Sequence, residues 1–206
     1  MELWGITGII GSGKSTAISY LSSKGYPCVD ADQVSRLVVD KNTEQGKLGF
    51  QLIYKTFGSS VLDNLGNLDR RALRMKMMNN PDDRKKLEEI LHPLILDYIE
   101  KWARKQREMN AKFAFVEGSR LVESKFHKNL NGLIVITSDE KKIIPRVVKR
   151  DSMGKEEVQM MISLQDQNVM LSEAKFELKN NGSKDELNKK LDRFLEERTL
   201  ANSKAR

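Results

Sequence analysis

Apolar residues fall along this chain in two kinds of run. Residues 3–7, 26–29, 112–118 and 132–137 are short and almost continuously apolar, the pattern of parallel strands covered on both faces. Residues 176–179 make a last, shorter strand. Between these runs the apolar residues recur at helical spacing. Ser15 to Leu21 reads as a first helix with Gly25 as its stop. Residues 33 to about 108 are mostly helical: 46–57 ends at Gly58, and 61–68 bears a turn. Asp69 then caps a helix that stops at Asn79-Asn80-Pro81. Asp82 and Asp83 open a longer helix whose stripe runs from Leu87 to Trp102, with Pro93 predicting a kink. Asp139 opens another helix, and Ser183, after the turn Asn180-Asn181-Gly182, caps a C-terminal one with Leu187, Leu191 and Leu195 on its core face. Strands alternating with helices predict an α/β chain.

The break between the first strand and the first helix changes the picture. Gly8 to Thr16 reads G-I-I-G-S-G-K-S-T and fits G-x-x-x-x-G-K-[S/T], a loop that cradles phosphate. Gly8, Gly11 and Gly13 lack Cβ, so backbone N–H groups can turn inward and approach anionic oxygens. The following helix aims its positive N-terminal end at the same anion. Lys14 then reaches the β- and γ-phosphates, and the Ser15 hydroxyl is placed to ligate Mg²⁺. The strand before the loop and the helix after it are the context this motif requires, and they mark a nucleotide-phosphate site.

Composition bounds the rest. A chain of 206 residues suits one α/β domain with inserted pieces. The net charge of +7 and pI near 9.4 fit a polyanionic partner or a surplus of solvated lysines. The cations are dispersed among 29 acids and no nucleic-acid motif is present, so nucleic acid is not the expected partner. No apolar run approaches the ~20 residues of a membrane span, so no membrane association is expected. Cys28 is the only cysteine, in an apolar run, which suits a small core residue in a reducing cytosol.

Three groups are candidates for chemistry. Asp30-Ala31-Asp32 sits at the C-terminal end of the second strand, where open parallel sheets bind ligands. Asp32 can orient or deprotonate an attacking hydroxyl, or it can cap the helix beginning near Gln33. Glu117 and Glu123 are the acids near a Mg²⁺ position, or else salt-bridge and capping residues. Arg146, Lys149 and Arg150 share a helix face by their spacing. They form either a solvated face or a lid over ATP, and the phosphate loop favours the lid.

The chain resembles the dephospho-CoA kinase family in a series of ordered motifs. These are the stretch from Thr7 to Thr16, Asp30-Ala31-Asp32 with Arg36, Phe57-Gly58, and Gly66-Asn67-Leu68-Asp69-Arg70-Arg71-Ala72-Leu73. Leu87-Glu88, His92-Pro93, Leu121-Val122-Glu123, Arg146 with Arg150-Asp151, Gln165 and Asn181-Gly182 follow in order. The resemblance implies a three-layer α/β fold of the P-loop NTPase kind, with a five-stranded parallel sheet. The whole chain would be one kinase domain, with a core of about 1–32, 112–138 and 172–206, a helical substrate-binding insertion of about 33–111, and a lid of about 139–171. It further implies transfer of the ATP γ-phosphoryl to the 3′-hydroxyl of dephospho-coenzyme A.

By the same resemblance, Asp32 would act as base or hydroxyl-orienting group, and Lys14, Arg146 and Arg150 would stabilise the transferring charge. Gly11, Ser12, Gly13, Lys14, Ser15 and Thr16, with Asn181 and Gly182, would hold ATP, and Ser15 would hold Mg²⁺. Asp32, Arg71, His92 and Leu121 would lie on the acceptor side. A cytoplasmic monomer or weak homo-oligomer is expected. The chain departs from the family pattern at Ser119-Arg120, at Met161 and across 167–177. Two other readings stay open: another small-molecule kinase of this fold, and a nucleotide-binding regulatory protein with little turnover.

Overall fold

Five strands carry the apolar runs: β1 (Glu2–Thr7), β2 (Cys28–Asp30), β3 (Phe113–Glu117), β4 (Gly132–Thr137) and β5 (Phe176–Lys179). They form one sheet in the order β2-β3-β1-β4-β5. Its registers are parallel, with Glu2 opposite Phe113, Trp4 opposite Gly132 and Ile134 opposite Phe176. The second strand starts two residues later than its apolar run. Pro27 has no N–H to give to a ladder, and it contributes only its carbonyl, which accepts from Phe115 N at 2.9 Å.

The computed structural model describes residues 1–204. Contacts divide them into two units, one of residues 1–28 with 106 onward and one of residues 29–105. In the first unit, side chains of successive strand residues go to opposite faces. Trp4, Ile6, Phe113, Phe115, Ile134, Ile136 and Leu178 share one face and form a core with Ala17 and Leu21 of α1 (Lys14–Ser23). Leu187, Leu191, Phe194 and Leu195 of α9 (Lys184–Lys204) complete it. Each fully buried side chain of this size contributes about 1.5–3 kcal/mol. Trp4, Phe176 and Phe194 meet edge to face with centroids 5.0–5.5 Å apart. On the other face Leu3, Ala114, Val116, Leu133 and Val135 are also buried.

Ser183 and Glu186 start α9 with a reciprocal capping pair: Ser183 Oγ accepts from Glu186 N at 3.2 Å and Glu186 Oε1 from Ser183 N at 3.3 Å. The helix continues through Lys204. Ala205 and Arg206 lie outside the described residues. Residues 139–171 hold three helices where the sequence pattern shows one: α6 (Glu140–Asp151), α7 (Lys155–Ser163) and α8 (Gln167–Ser172, which runs one residue past 171).

The second unit contains α2 (Ala31–Leu37), α3 (Lys47–Phe57), α4 (Arg70–Asn79) and α5 (Pro81–Glu108). Asp63 Oδ1 accepts from Leu65 N (2.9 Å) and Asn67 N (2.8 Å), which folds 62–68 into a turn closed by an antiparallel bridge between Leu62 and Leu68. Asp69 caps α4 through Arg71 N and Ala72 N. The cap of α5 is Asn80, whose Oδ1 accepts from Asp82 N (3.0 Å) and Asp83 N (3.3 Å), so those two acids occupy the first turn. The helix runs unbroken through Pro93.

Candidate active site

The phosphate loop joins the central strand β1 to α1, at the place where the sheet order reverses and ligands bind in such folds. Gly8 has φ +149°, and a Cβ there would strike the carbonyl of Ile136 and come within 2.7 Å of Ser12 Oγ. Gly13 has φ +113°, and a Cβ there would strike Asn180 Nδ2. Only glycine satisfies both the dihedral and the space. Gly13 precedes α1 with no side-chain cap, so the first turn of the helix receives no side-chain oxygen from that position. Lys14 Nζ donates to Gly8 O (2.7 Å) and Ile9 O (3.1 Å), which holds the ammonium against the loop's own carbonyls.

A cavity of about 530 Å³ opens on this loop, and all of its lining belongs to the first unit. Gly11, Gly13, Lys14, Ser15, Thr16 and Gly182 line it. Arg146 and Arg150 line it too, so these two arginines of α6 share one cavity with the phosphate loop. Arg146 donates from Nη1 to Ser138 Oγ (3.2 Å) and from Nη2 to Asn180 O (3.1 Å). Arg150 donates to both oxygens of Asp151 at 2.7 Å, and that pairing raises its already high pKa. Glu117 stands on the wall and Lys184 at its rim, whereas the exposed Glu123 is not among the lining residues. Burial pushes the Cys28 thiol up, with the charge of Glu117 adding to it, so this cysteine is a poor nucleophile.

Two residues assigned to the nucleotide act from behind the wall. Ser12 is fully buried, and its Oγ has no hydrogen-bond partner. Asn181 Oδ1 accepts from Asp139 N (2.8 Å) and Ser138 Oγ (3.1 Å), and so starts α6 in place of the Asp139 side chain, which makes no cap bond. Its neighbour Asn180 lines the cavity and donates from Nδ2 to Ser12 O at 2.7 Å. Asn180 carried no motif of its own. Its signal is its position directly after a strand that ends beside the loop.

Leu121 is buried, and its carbonyl accepts from His127 N at 3.0 Å. Asp32, Arg71 and His92 belong to the second unit and are all exposed. There the choice between cap and catalyst narrows, because Asp30 is the cap. Its Oδ1 accepts from Asp32 N (2.8 Å) and Gln33 N (3.1 Å), which leaves Asp32 in the first turn of α2.

The family model for dephospho-CoA kinase matches residues 3–186. A curated dephospho-CoA kinase from Fusobacterium nucleatum subsp. nucleatum is 31% identical over 193 residues, 93% of this chain and 96% of that protein. A solved structure from Thermus thermophilus superposes with a TM-score of 0.79 at 28% identity, covering 95% of this chain and 97% of the other. Dephospho-CoA kinase from Campylobacter jejuni superposes with a TM-score of 0.69 at 27% identity, covering 97% and 98%. Among the described residues no helix is long and apolar enough to cross a membrane.

Proposed function

We propose, for a chain that belongs to the dephospho-CoA kinase family, that it transfers the γ-phosphoryl of ATP to the 3′-hydroxyl of dephospho-coenzyme A. One observation carries this reading: the phosphate loop and the arginines of α6 line one cavity. Phosphoryl transfer asks the protein mainly for positioning and charge neutralisation. The loop N–H groups and Lys14 hold the β- and γ-phosphates, and Arg146 and Arg150 take up charge on the oxygens of the transferring group. Asp32 orients or deprotonates the attacking hydroxyl, and Arg71, His92 and Leu121 serve the acceptor. Thr16, Gly182 and the buttress made by Asn181 serve the nucleotide.

Mg²⁺ fits this donor set. Among the described residues no three His, Cys, Asp or Glu side chains converge, and Mg²⁺ in kinases takes most of its ligands from phosphates and water. Ser15 would hold it, with Glu117 on the same wall, and when bound it would offset charge on the β- and γ-oxygens. A cytosolic setting agrees with the single cysteine.

The test is ADP release in a coupled assay with ATP and dephospho-coenzyme A, nucleoside monophosphates or shikimate as acceptor. Turnover with dephospho-coenzyme A alone is expected. Preference for another acceptor would move the chain to a different substrate, and nucleotide binding without turnover on any acceptor would make it a binding protein.

A further inference from the structure

The turn between α7 and α8 places Gln165 half-buried beside Leu164, which is 79% exposed. Gln165 Oε1 accepts a hydrogen bond of 2.9 Å from the backbone N–H of Ile10, in the phosphate loop 155 residues earlier. Within the loop the carbonyls of Gly8 and Ile9 are taken by Lys14 Nζ, and Ile9 O also accepts from Ser12 N at 3.2 Å. A half-buried N–H needs an acceptor from somewhere, and for Ile10 the lid supplies it.

The lid also meets the loop at Gly11. Ile143 and Val147 of α6 pack on Gly11, where a Cβ would come within 2.5 Å of Val147 Cγ2 and 2.9 Å of Ile143 Cγ2. That contact is apolar and non-directional, and the directional bonds described for α6 run to Ser138, Asn180 and Asn181. The Gln165 bond is directional. It anchors the α7–α8 end of the lid, while α6 and α7 are joined by a short turn with Ser152 at φ 54°.

We propose that Gln165 is a positioning residue. By accepting from Ile10 N–H it fixes the register of the lid on the phosphate loop, and so the placement of Arg146 and Arg150 over the transferring phosphoryl. This rests on the role given above to those arginines.

The test uses the full chain with Gln165→Leu, which removes the acceptor at similar size, and Gln165→Glu, which keeps it. Turnover of the parent with dephospho-coenzyme A is measured first and judges the functional reading alone. Against an active parent, Gln165→Leu is expected to lower kcat about tenfold, the scale of one hydrogen bond to a positioned group. Its KM for dephospho-coenzyme A should hold, and the Ile10 amide should exchange faster with solvent. Gln165→Glu should keep the Ile10 amide protected and kcat near the parent's, its added charge appearing as a higher KM for ATP. Parental kcat in Gln165→Leu would overturn the inference, as would Gln165→Glu being equally slow with Ile10 still protected. If the parent proves inactive, Ile10 exchange and ATP affinity decide the matter, and no change in either for Gln165→Leu overturns it.

Discussion

Helices α1 and α2 both begin where a parallel strand ends, and they begin in opposite ways. At α1 the chain withholds a side-chain cap: Gly13 has no side chain to offer. At α2 the chain supplies the anion itself, through the Asp30 carboxylate on Asp32 N and Gln33 N. The first start offers backbone alone, which carries no charge of its own and cannot be mutated away except by altering the glycines. The second is closed to anions and places a carboxylate, Asp32, in a first turn whose dipole stabilises negative charge. In a kinase these suit different tasks, one holding phosphates and the other handling a hydroxyl.

The most severe way to break the contrast is Lys14→Ala. It removes the one side chain that the loop start contributes as charge, and a loss of about 10³-fold or more in turnover is expected. Near-normal activity in the folded variant would dismiss the phosphate-loop assignment. Asp32→Asn comes next, with kcat expected to fall about 10²-fold while ATP binding holds. Asp30→Asn sharpens the same point, because Asn caps as well as Asp and should leave kcat and stability nearly unchanged. If the two variants behave alike, α2 has no catalytic acid.

Charge removal at Arg146 should lower kcat about tenfold or more without weakening dephospho-coenzyme A, since Arg146 lines the cavity at the phosphate loop. An unchanged rate would leave α6 as a solvated face. The smallest effect is reserved for the far end of β1, where Arg198 grips Glu2 at 2.7 Å. Burial pushes the Glu2 carboxyl up, but hydrogen bonds from Arg198 and Trp4 outweigh it and hold the group below its usual range. A depressed acid stabilises the fold above its unfolded pKa and loses that stabilisation as pH falls through the folded value. Glu2→Gln should therefore cost about 1 kcal/mol at neutral pH and flatten the acid side of the melting profile, with kcat unchanged. Equal acid sensitivity in parent and variant would place the effect elsewhere.

The strands and the phosphate loop were legible because their signals are local. β4 (Gly132–Thr137) and β5 (Phe176–Lys179) coincide with their apolar runs, and Gly8 and Gly13 occupy dihedrals that the motif itself requires. The lid was less legible. α7 and α8 are nine and six residues long, with only Val158, Ile162 and Met170 buried, so neither builds a stripe that stands out from loop sequence. Asp166, which caps α8 through Asn168 N and Val169 N, was the available signal. The start of α2 left Asp32 open between cap and catalyst, because only a backbone shows that the Asp30 carboxylate reaches Asp32 N and Gln33 N. The work of Asn180 and Gln165 was hidden for another reason: each acts on a loop more than 150 residues away in sequence.

The tandem amides after β5 carry a consequence for which insertions this chain can absorb. Asn180 serves the phosphate loop and Asn181 the start of α6, and which does which follows from the pairing of Thr137 with Lys179. Adding or deleting one residue in β5 would turn each amide to the opposite side of the sheet, presenting Gly182 or Lys179 where an amide is needed. Length variation among relatives should therefore stay out of the six residues from Phe176 to Asn181.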